Sequence, residues 1–267
     1  GQTLYNVSAV IDDMMYSNMQ AVRDTAATIK TDLGNFSSSY SLLISIPQGI
    51  ASAMSASMLP SVVTSFTEKK YKDVRTKINS TLKTNMFIAV PSFVGLTVLG
   101  EPVIKLLFSR YNSAQGAMML KIGAIAVVFY TLSTVTSSAL QGINRMSVPV
   151  KHSFVALVIH IILVFSLLKW SRLGIYAIVI GNATFPLLIL ILNLISLKRY
   201  IGFMMEYVKV FAVPGVCSVI MGIVTWAVYT IVYTLAASNI IAVIAALIFA
   251  MASYFGPVFI FRKMGLY

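Results

Sequence analysis

Between residues 210 and 261 the chain runs without a single Asp, Glu, Lys, Arg or His. A helix needs about 20 apolar residues to cross a bilayer, so this stretch holds two crossings. The polar break Ala236-Ala237-Ser238-Asn239 places the turn of a tight helical hairpin between them. Four more windows of the same kind lie at 36–67, 84–100, 122–144 and 173–197. Two segments are less clean. One, 148–168, contains Lys151, His152 and His160, and the other, 4–20, contains Asp12 and Asp13. The reading is an all-α integral membrane protein of about eight transmembrane helices.

Composition agrees. Hydrophobic residues make up 58% and charged residues 10% of the 267 positions, and the mean hydropathy is +0.86. A soluble domain of this size is about a quarter charged, and disorder or a disulfide scaffold is excluded on the same grounds. Cys217 is the single cysteine, which rules out an intrachain disulfide and reads as helix packing. The chain opens at Gly1 inside a helical pattern, with no basic leader, as a piece whose N-terminal part lies before it would.

The net charge of +12 would suggest nucleic acid in a soluble protein. Here it is resolved by topology. Assigning loops alternately puts Lys69, Lys70, Lys72, Arg75, Lys77, Lys83, Arg145, Lys151, Lys198, Arg199, Lys209, Arg262 and Lys263 on one side. Arg23, Lys30, Lys105, Arg110, Lys121, Lys169 and Arg172 fall on the other. The richer side is cytoplasmic by the positive-inside rule, which sets both ends of the chain there. No nucleic-acid partner is expected, because these cations are spread over short loops without aromatic platforms. In the one dense cluster, Tyr71, Val74, Ile78 and Leu82 recur at helical spacing beside Lys69, Lys70, Lys72, Arg75 and Lys77. That pattern suits an amphipathic helix on anionic headgroups, or an ordinary orienting loop.

Polar groups at membrane depth are where function is sought. Ser41, Ser45, Gln48, Ser52 and Ser55 fall on one stripe of the 36–67 span. Such a stripe either packs closely on another helix or walls a hydrated cavity. The large amide of Gln48 favours the cavity, being costly to leave in lipid. Thr134, Ser137 and Gln141 repeat the pattern more weakly. Prolines at 47, 60, 91, 186, 214 and 257 permit kinks that a transporter can use. Asp12 and Asp13 are candidates to line a cavity, bind a cation or relay a proton. His160 is a packing histidine or a proton carrier, and Asn182 and Thr184 could offer neutral oxygens to a cation. No hydrolytic or transferase constellation is present, so an enzyme is not expected.

Three stretches, Leu140-Gln141-Gly142 with Pro149-Val150, residues 46–50 with 58–61, and residues 91–108, together resemble the polysaccharide-biosynthesis flippases of the MOP exporter superfamily, in the SpoVB/YtgP branch related to MurJ-like lipid II flippases. Leu140-Gln141-Gly142 followed by Pro149-Val150 resembles the family's LQGxxxxxxPV turn. Ile46-Pro47-Gln48-Gly49-Ile50 with Met58-Leu59-Pro60-Ser61 resembles its proline-centred helix, and residues 91–108 (PSFVGLTVLGEPVIKLLF) resemble a third signature. The resemblance implies fourteen helices in two six-helix lobes plus an extra pair. This chain would then be the second lobe (1–200) with the extra pair (201–267), partnered by the N-terminal lobe of the same protein. It further implies alternating access around a central cavity in the bacterial cytoplasmic membrane, an undecaprenyl-linked precursor as substrate, and a groove for its lipid tail beside the closing pair. It implies no cofactor beyond a coupling ion, Na+ or H+. The residues matching the sodium site of some members are Asp12 or Asp13 with Asn182 and Thr184, while His160 stands where an amide or a cation belongs. The arginine that MurJ-like proteins carry before the helix proline is absent from Tyr40-Ser41-Leu42-Leu43. A MATE-type drug/cation antiporter is the alternative function.

Overall fold

In lipid every backbone N–H and C=O must be satisfied within the protein, which leaves helices as the economical solution. The computed structural model describes residues 2–108 and 112–263, and among them ten α-helices and one π-helical segment are present, with no strand. They are α1 (Gln2–Gln20), α2 (Ala26–Asn35), the π segment Phe36–Ser41, α3 (Leu42–Thr67), α4 (Tyr71–Leu107) and α5 (Ser113–Gly123). There follow α6 (Ala126–Gly142), α7 (Ser147–Trp170), α8 (Tyr176–Ile201), α9 (Tyr207–Ala236) and α10 (Asn239–Lys263). Arg110 and the side chain of Arg262, both counted in the loop asymmetry, lie outside the described residues.

Six rods are long and apolar enough to cross a membrane, and α5 with α6, bent by 45°, makes a seventh. The expected eight is therefore high by this measure. The difference is α1, which is a helix over the expected segment but is interrupted by Asp12, Asp13 and several amides. The hairpin turn falls where the polar break lies: α9 ends at Ala236, and Ala237 adopts a left-handed φ of 48°.

A second correction concerns the basic cluster. Residues from Tyr71 onward are the first turns of α4, a single helix of 37 residues, about 55 Å long and so well beyond the hydrocarbon thickness. Of its stripe, Val74, Ile78 and Leu82 are fully buried in the protein core, while Tyr71 stays 45% exposed. Lys77 donates to the Ser61 carbonyl (2.8 Å) and Ser65 Oγ (2.7 Å), tying α4 to α3, and Arg75 reaches the Gly202 carbonyl at 3.5 Å. Lys69, Lys70 and Lys72 remain exposed, with Lys70 paired to Glu68 at 2.8 Å. That neighbouring ammonium holds the Glu68 carboxyl below the usual range.

Helix α6 is central, flanked by α3 and α8, while α1 packs on α7. The glycine of the LQG motif has a steric role here, since a Cβ on Gly142 would sit 2.6 Å from Val62 Cγ1 of α3. The α9–α10 hairpin docks on α4 through its own cluster of Val213, Cys217, Met221, Ala250 and Tyr254 against Phe87 and Val94. Cys217 is thus a packing residue. Tyr254 donates to the Phe87 carbonyl (2.8 Å) and Asn239 to the Pro102 carbonyl (3.0 Å).

Candidate functional site: a polar cavity with a buried Asp–His pair

Helical spacing brings Tyr5, Ser8 and Asp12 of α1 to one face, and the π segment and α3 present Ser41, Ser45, Gln48 and Ser52 opposite. With Tyr130 of α6 and Asn182 of α8 these groups line a cavity of about 540 Å³. Tyr5 Oη lies 3.1 Å from Ser133 Oγ, and Tyr130 Oη lies 3.3 Å from Ser52 Oγ. The ring of Tyr5 packs edge-on against Tyr130 and Phe185. Among the described residues no Lys or Arg lines the wall, and Asp12 is its one ionisable group apart from the phenols.

Asp12 does not stand alone. His160, on α7, directs Nε2 to both of its carboxylate oxygens, at 2.9 and 3.1 Å. Asp12 is 4% exposed and His160 fully buried, so the pair is shielded from bulk solvent. The other ring nitrogen, Nδ1, has no hydrogen-bond partner among the described residues. That edge of the ring lies against Gly181, whose missing side chain makes room for it: a Cβ there would come 2.8 Å from His160 Cε1. Phe185 covers the ring, with centroids 5.4 Å apart.

The remaining expected residues are placed as follows. Ser41, Ser45, Gln48, Ser52, Asp12 and Asn182 line the cavity. Ser55 is turned into protein and bonded to the Ala51 carbonyl (2.7 Å), while Gln141 and Asp13 do not reach the cavity wall. Thr184 spends its hydroxyl on the Gly181 carbonyl at 3.1 Å.

Two polar networks carry no obvious sequence signature. Asn193, fully buried on α8, donates to Ser137 Oγ (2.8 Å) and Thr136 Oγ1 (3.2 Å), and its carbonyl oxygen accepts from His152 Nδ1 (2.8 Å). At the opposite end, Asp32 accepts from Tyr16 and from Gln115 Nε2 (2.6 Å), and Asn35 donates to Gln115. Isolated polar residues in apolar runs were the only hint of Asn193. Ser8 and Tyr5 could have been found by stepping back one and two helical turns from Asp12.

A separate apolar groove of about 440 Å³ runs between α3, α4, α9 and α10, lined among others by Pro47, Phe87, Pro91, Leu96, Met221 and Tyr254.

The family model described as "Lipid II flippase MurJ" matches residues 33–246. The chain belongs to the MurJ family. It is 28% identical over 184 residues to the lipid II flippase MurJ of Bacillus subtilis (strain 168), an alignment covering 68% of this chain and 34% of the relative. The probable lipid II flippase MurJ of Bdellovibrio bacteriovorus is 25% identical over 165 residues, covering 59% and 31%. A solved structure titled "Lipid II flippase MurJ, inward closed conformation" superposes with a TM-score of 0.72 at 18% identity, covering 98% of this chain and 52% of that one. The chain thus spans about a third of the length of its curated MurJ relatives and about half of the solved MurJ chain, whose fold it shares.

The sodium site that the MurJ resemblance implied can be tested against the residues present. A hard alkali cation takes a shell of oxygen ligands. Here both oxygens of Asp12 are engaged by an imidazole, the Thr184 hydroxyl is committed to a backbone carbonyl, and Asn182 Oδ1 faces the Tyr40 hydroxyl at 3.5 Å. Asp13 does not line the cavity that Asp12 and Asn182 share. These residues do not form such a shell.

Proposed function

We propose that this chain forms the second lobe, with the closing helical pair, of a flippase that carries a lipid II-like, undecaprenyl-linked cell-wall precursor across the bacterial cytoplasmic membrane. The observation that carries this reading is the polar cavity on α1, α3, α6 and α8 within a MurJ-family fold. A hydroxyl- and amide-rich wall suits a sugar headgroup, because each such group can exchange a water hydrogen bond for one to the substrate. The pyrophosphate requires cations that this wall lacks, and the N-terminal lobe of the same protein would supply them. The groove between α3, α4 and the α9–α10 hairpin is lined mainly by apolar side chains, with Ser92 and Thr225 among them, which suits a lipid tail. The thirteen-to-seven distribution of basic residues supports an orientation with both ends of this chain in the cytoplasm. Transport proceeds by alternating access, and no enzymatic step is involved.

The experiment is replacement of the cavity wall in the full-length protein. Gln48→Leu, or Asp12→Asn together with Asp13→Asn, should impair growth and precursor export while membrane levels stay unchanged. Full activity in both variants would sink the cavity reading. Depletion of the full-length protein should leave a lipid-linked precursor on the cytoplasmic leaflet; accumulation of none would favour a drug/cation antiporter.

A further inference from the structure

The positive-inside rule leaves few cations to the poorer side of the membrane, yet three of the seven assigned there, Arg23, Lys169 and Arg172, meet at one place. There the turn after α1 lies beside the turn between α7 and α8, and between them is a concavity of about 510 Å³ lined among others by Gln20, Arg23, Asp24, Trp170 and Arg172. Helix α7 has 24 residues. At about 36 Å it is long enough to cross the hydrocarbon, so Trp170 at its end stands at headgroup height. We infer that this concavity binds the headgroup of an anionic phospholipid, a phosphodiester that carries a hydroxyl group, as in phosphatidylglycerol. The site lies apart from the polar cavity and is independent of what that cavity carries.

Each cation is held differently. Arg23 donates Nη1 to the Leu168 carbonyl (3.3 Å) and Nη2 to the Lys169 carbonyl (3.1 Å), which satisfies the open end of α7 and leaves further guanidinium N–H donors free for a ligand. Lys169 lies over the rings of Phe165 and Trp170, 5.6 and 5.7 Å from their centroids, and is occupied there. Arg172 has no hydrogen bond or ion pair among the described residues, and neither has the carboxylate of Asp24. The group that points to a ligand is Gln20. It is only 6% exposed, lines the concavity, and its amide has no partner among the described residues. A large amide left in that state is costly. A Cβ at Gly174, whose φ is +55°, would come 3.5 Å from Gln20 Nε2, so the facing turn passes the amide at a residue with no side chain to cover it. The Arg23 and Asp24 N–H groups both donate to the Gln20 carbonyl at 2.8 Å, which folds the chain back and gathers the three side chains.

This set of groups selects its ligand. Guanidiniums match the oxygens of a phosphodiester, and the Gln20 amide adds a neutral donor. Two arginines against one aspartate leave a single positive charge, which one phosphodiester balances and a zwitterionic headgroup does not. Asp24 can only accept, so it calls for a hydroxyl donor beside the phosphate. Trp170, 76% exposed, marks the lipid side of the concavity, as tryptophans at this depth do.

Trp170 reports on the site directly. The full-length protein, with every tryptophan except Trp170 replaced by phenylalanine, is reconstituted in phosphatidylcholine vesicles. Brominated phosphatidylglycerol should quench Trp170 fluorescence at a mole fraction about fivefold lower than brominated phosphatidylcholine, the worth of one basic side chain near a membrane surface. Arg172→Gln should remove that preference and Gln20→Leu should weaken it, whereas Lys70→Gln, at the other end of the bundle, should leave it unchanged. Equal quenching by the two lipids, or a preference that survives Arg172→Gln, would overturn the inference. Brominated phosphatidylmethanol, a phosphodiester without the hydroxyl, should quench less well than phosphatidylglycerol, and equally well once Asp24→Ala is introduced. Equality before that substitution would overturn the role given to Asp24. Exchanging chloride for inorganic phosphate at constant ionic strength should leave the preference intact; its loss would make soluble phosphate the ligand and overturn the headgroup as the source. If the tryptophan replacements prevent folding, lipid counting decides. Arg172→Gln in the otherwise unaltered protein should retain fewer phosphatidylglycerol molecules through purification, counted by mass spectrometry, and an unchanged count would overturn the inference.

Discussion

Gly181→Ala offers a direct steric test of the site. The added Cβ would sit 2.5 Å from Val164 Cγ2 and 2.8 Å from His160 Cε1, where ordinary carbon contacts lie about 3.5–4.0 Å apart. Neither neighbour can retreat, since both are fully buried and the ring is fixed by Asp12. Overpacking of this kind costs about 1–3 kcal/mol, and two rigid contacts at once point to the upper half of that range. Removing a helical glycine by itself stabilises by up to about 1 kcal/mol, so the net loss is about 1–2 kcal/mol. Gly215→Ala isolates the second term, because a Cβ there meets nothing within 4 Å. The two variants of the full-length protein should differ by about 4–12 °C in melting temperature at a fixed scan rate, at about 2–4 °C per kcal/mol. Adding Val164→Ala to Gly181→Ala should recover part of the difference, with a coupling energy visible in the double-mutant cycle. Equal melting of the two glycine variants would refute the close approach of α7 and α8 at His160.

Other expectations follow from single contacts. Asn193→Leu strands His152, Thr136 and Ser137; at roughly 0.6 kcal/mol for each hydrogen bond within a membrane, it should lower stability by about 2 kcal/mol in thermal melts. Lys77→Met removes the tie from α4 to Ser61 and Ser65 and should cost about 1–3 kcal/mol, whereas Lys70→Gln, at an exposed pair, should leave melting unchanged. Asn239→Ala frees the Pro102 carbonyl and the Tyr229 hydroxyl, so proteolysis within the α9–α10 turn should accelerate relative to wild type while the rest of the chain is cut no faster.

The rods were legible because charge-free windows report them directly, and the hairpin turn was legible from four polar and small residues. The Ser41–Ser45–Gln48–Ser52 wall was legible because helical spacing puts those positions on one face. Its last expected member, Ser55, was not, because spacing cannot say where along a rod the facing surface changes from cavity to packed protein. The pairing of Asp12 with His160 was hidden for a related reason. The two residues are 148 positions apart, and periodicity carries information along a helix but none about which distant helix it meets. The basic stretch misled because an amphipathic pattern records only that one face is apolar. In α4 the face of Val74, Ile78 and Leu82 meets protein, and the same pattern would result if it met lipid.

The π segment between Asn35 and Leu42 has a consequence for how related chains should vary. A π turn holds one more residue than the α turn it replaces, which rotates everything on one side of it by about 100° relative to the other. Upstream, Asp32 and Asn35 point at Gln115 of α5; the segment's last residue, Ser41, and Ser45 and Gln48 beyond it point into the cavity. A regular α-helix could satisfy only one of these two bearings. Loss of a single residue anywhere in 36–41 would leave the rod helical and the membrane span intact, yet swing either the Gln115 contacts or the cavity wall out of place. In this rod, therefore, length by one residue is as much a determinant of the site as the identity of any serine in it.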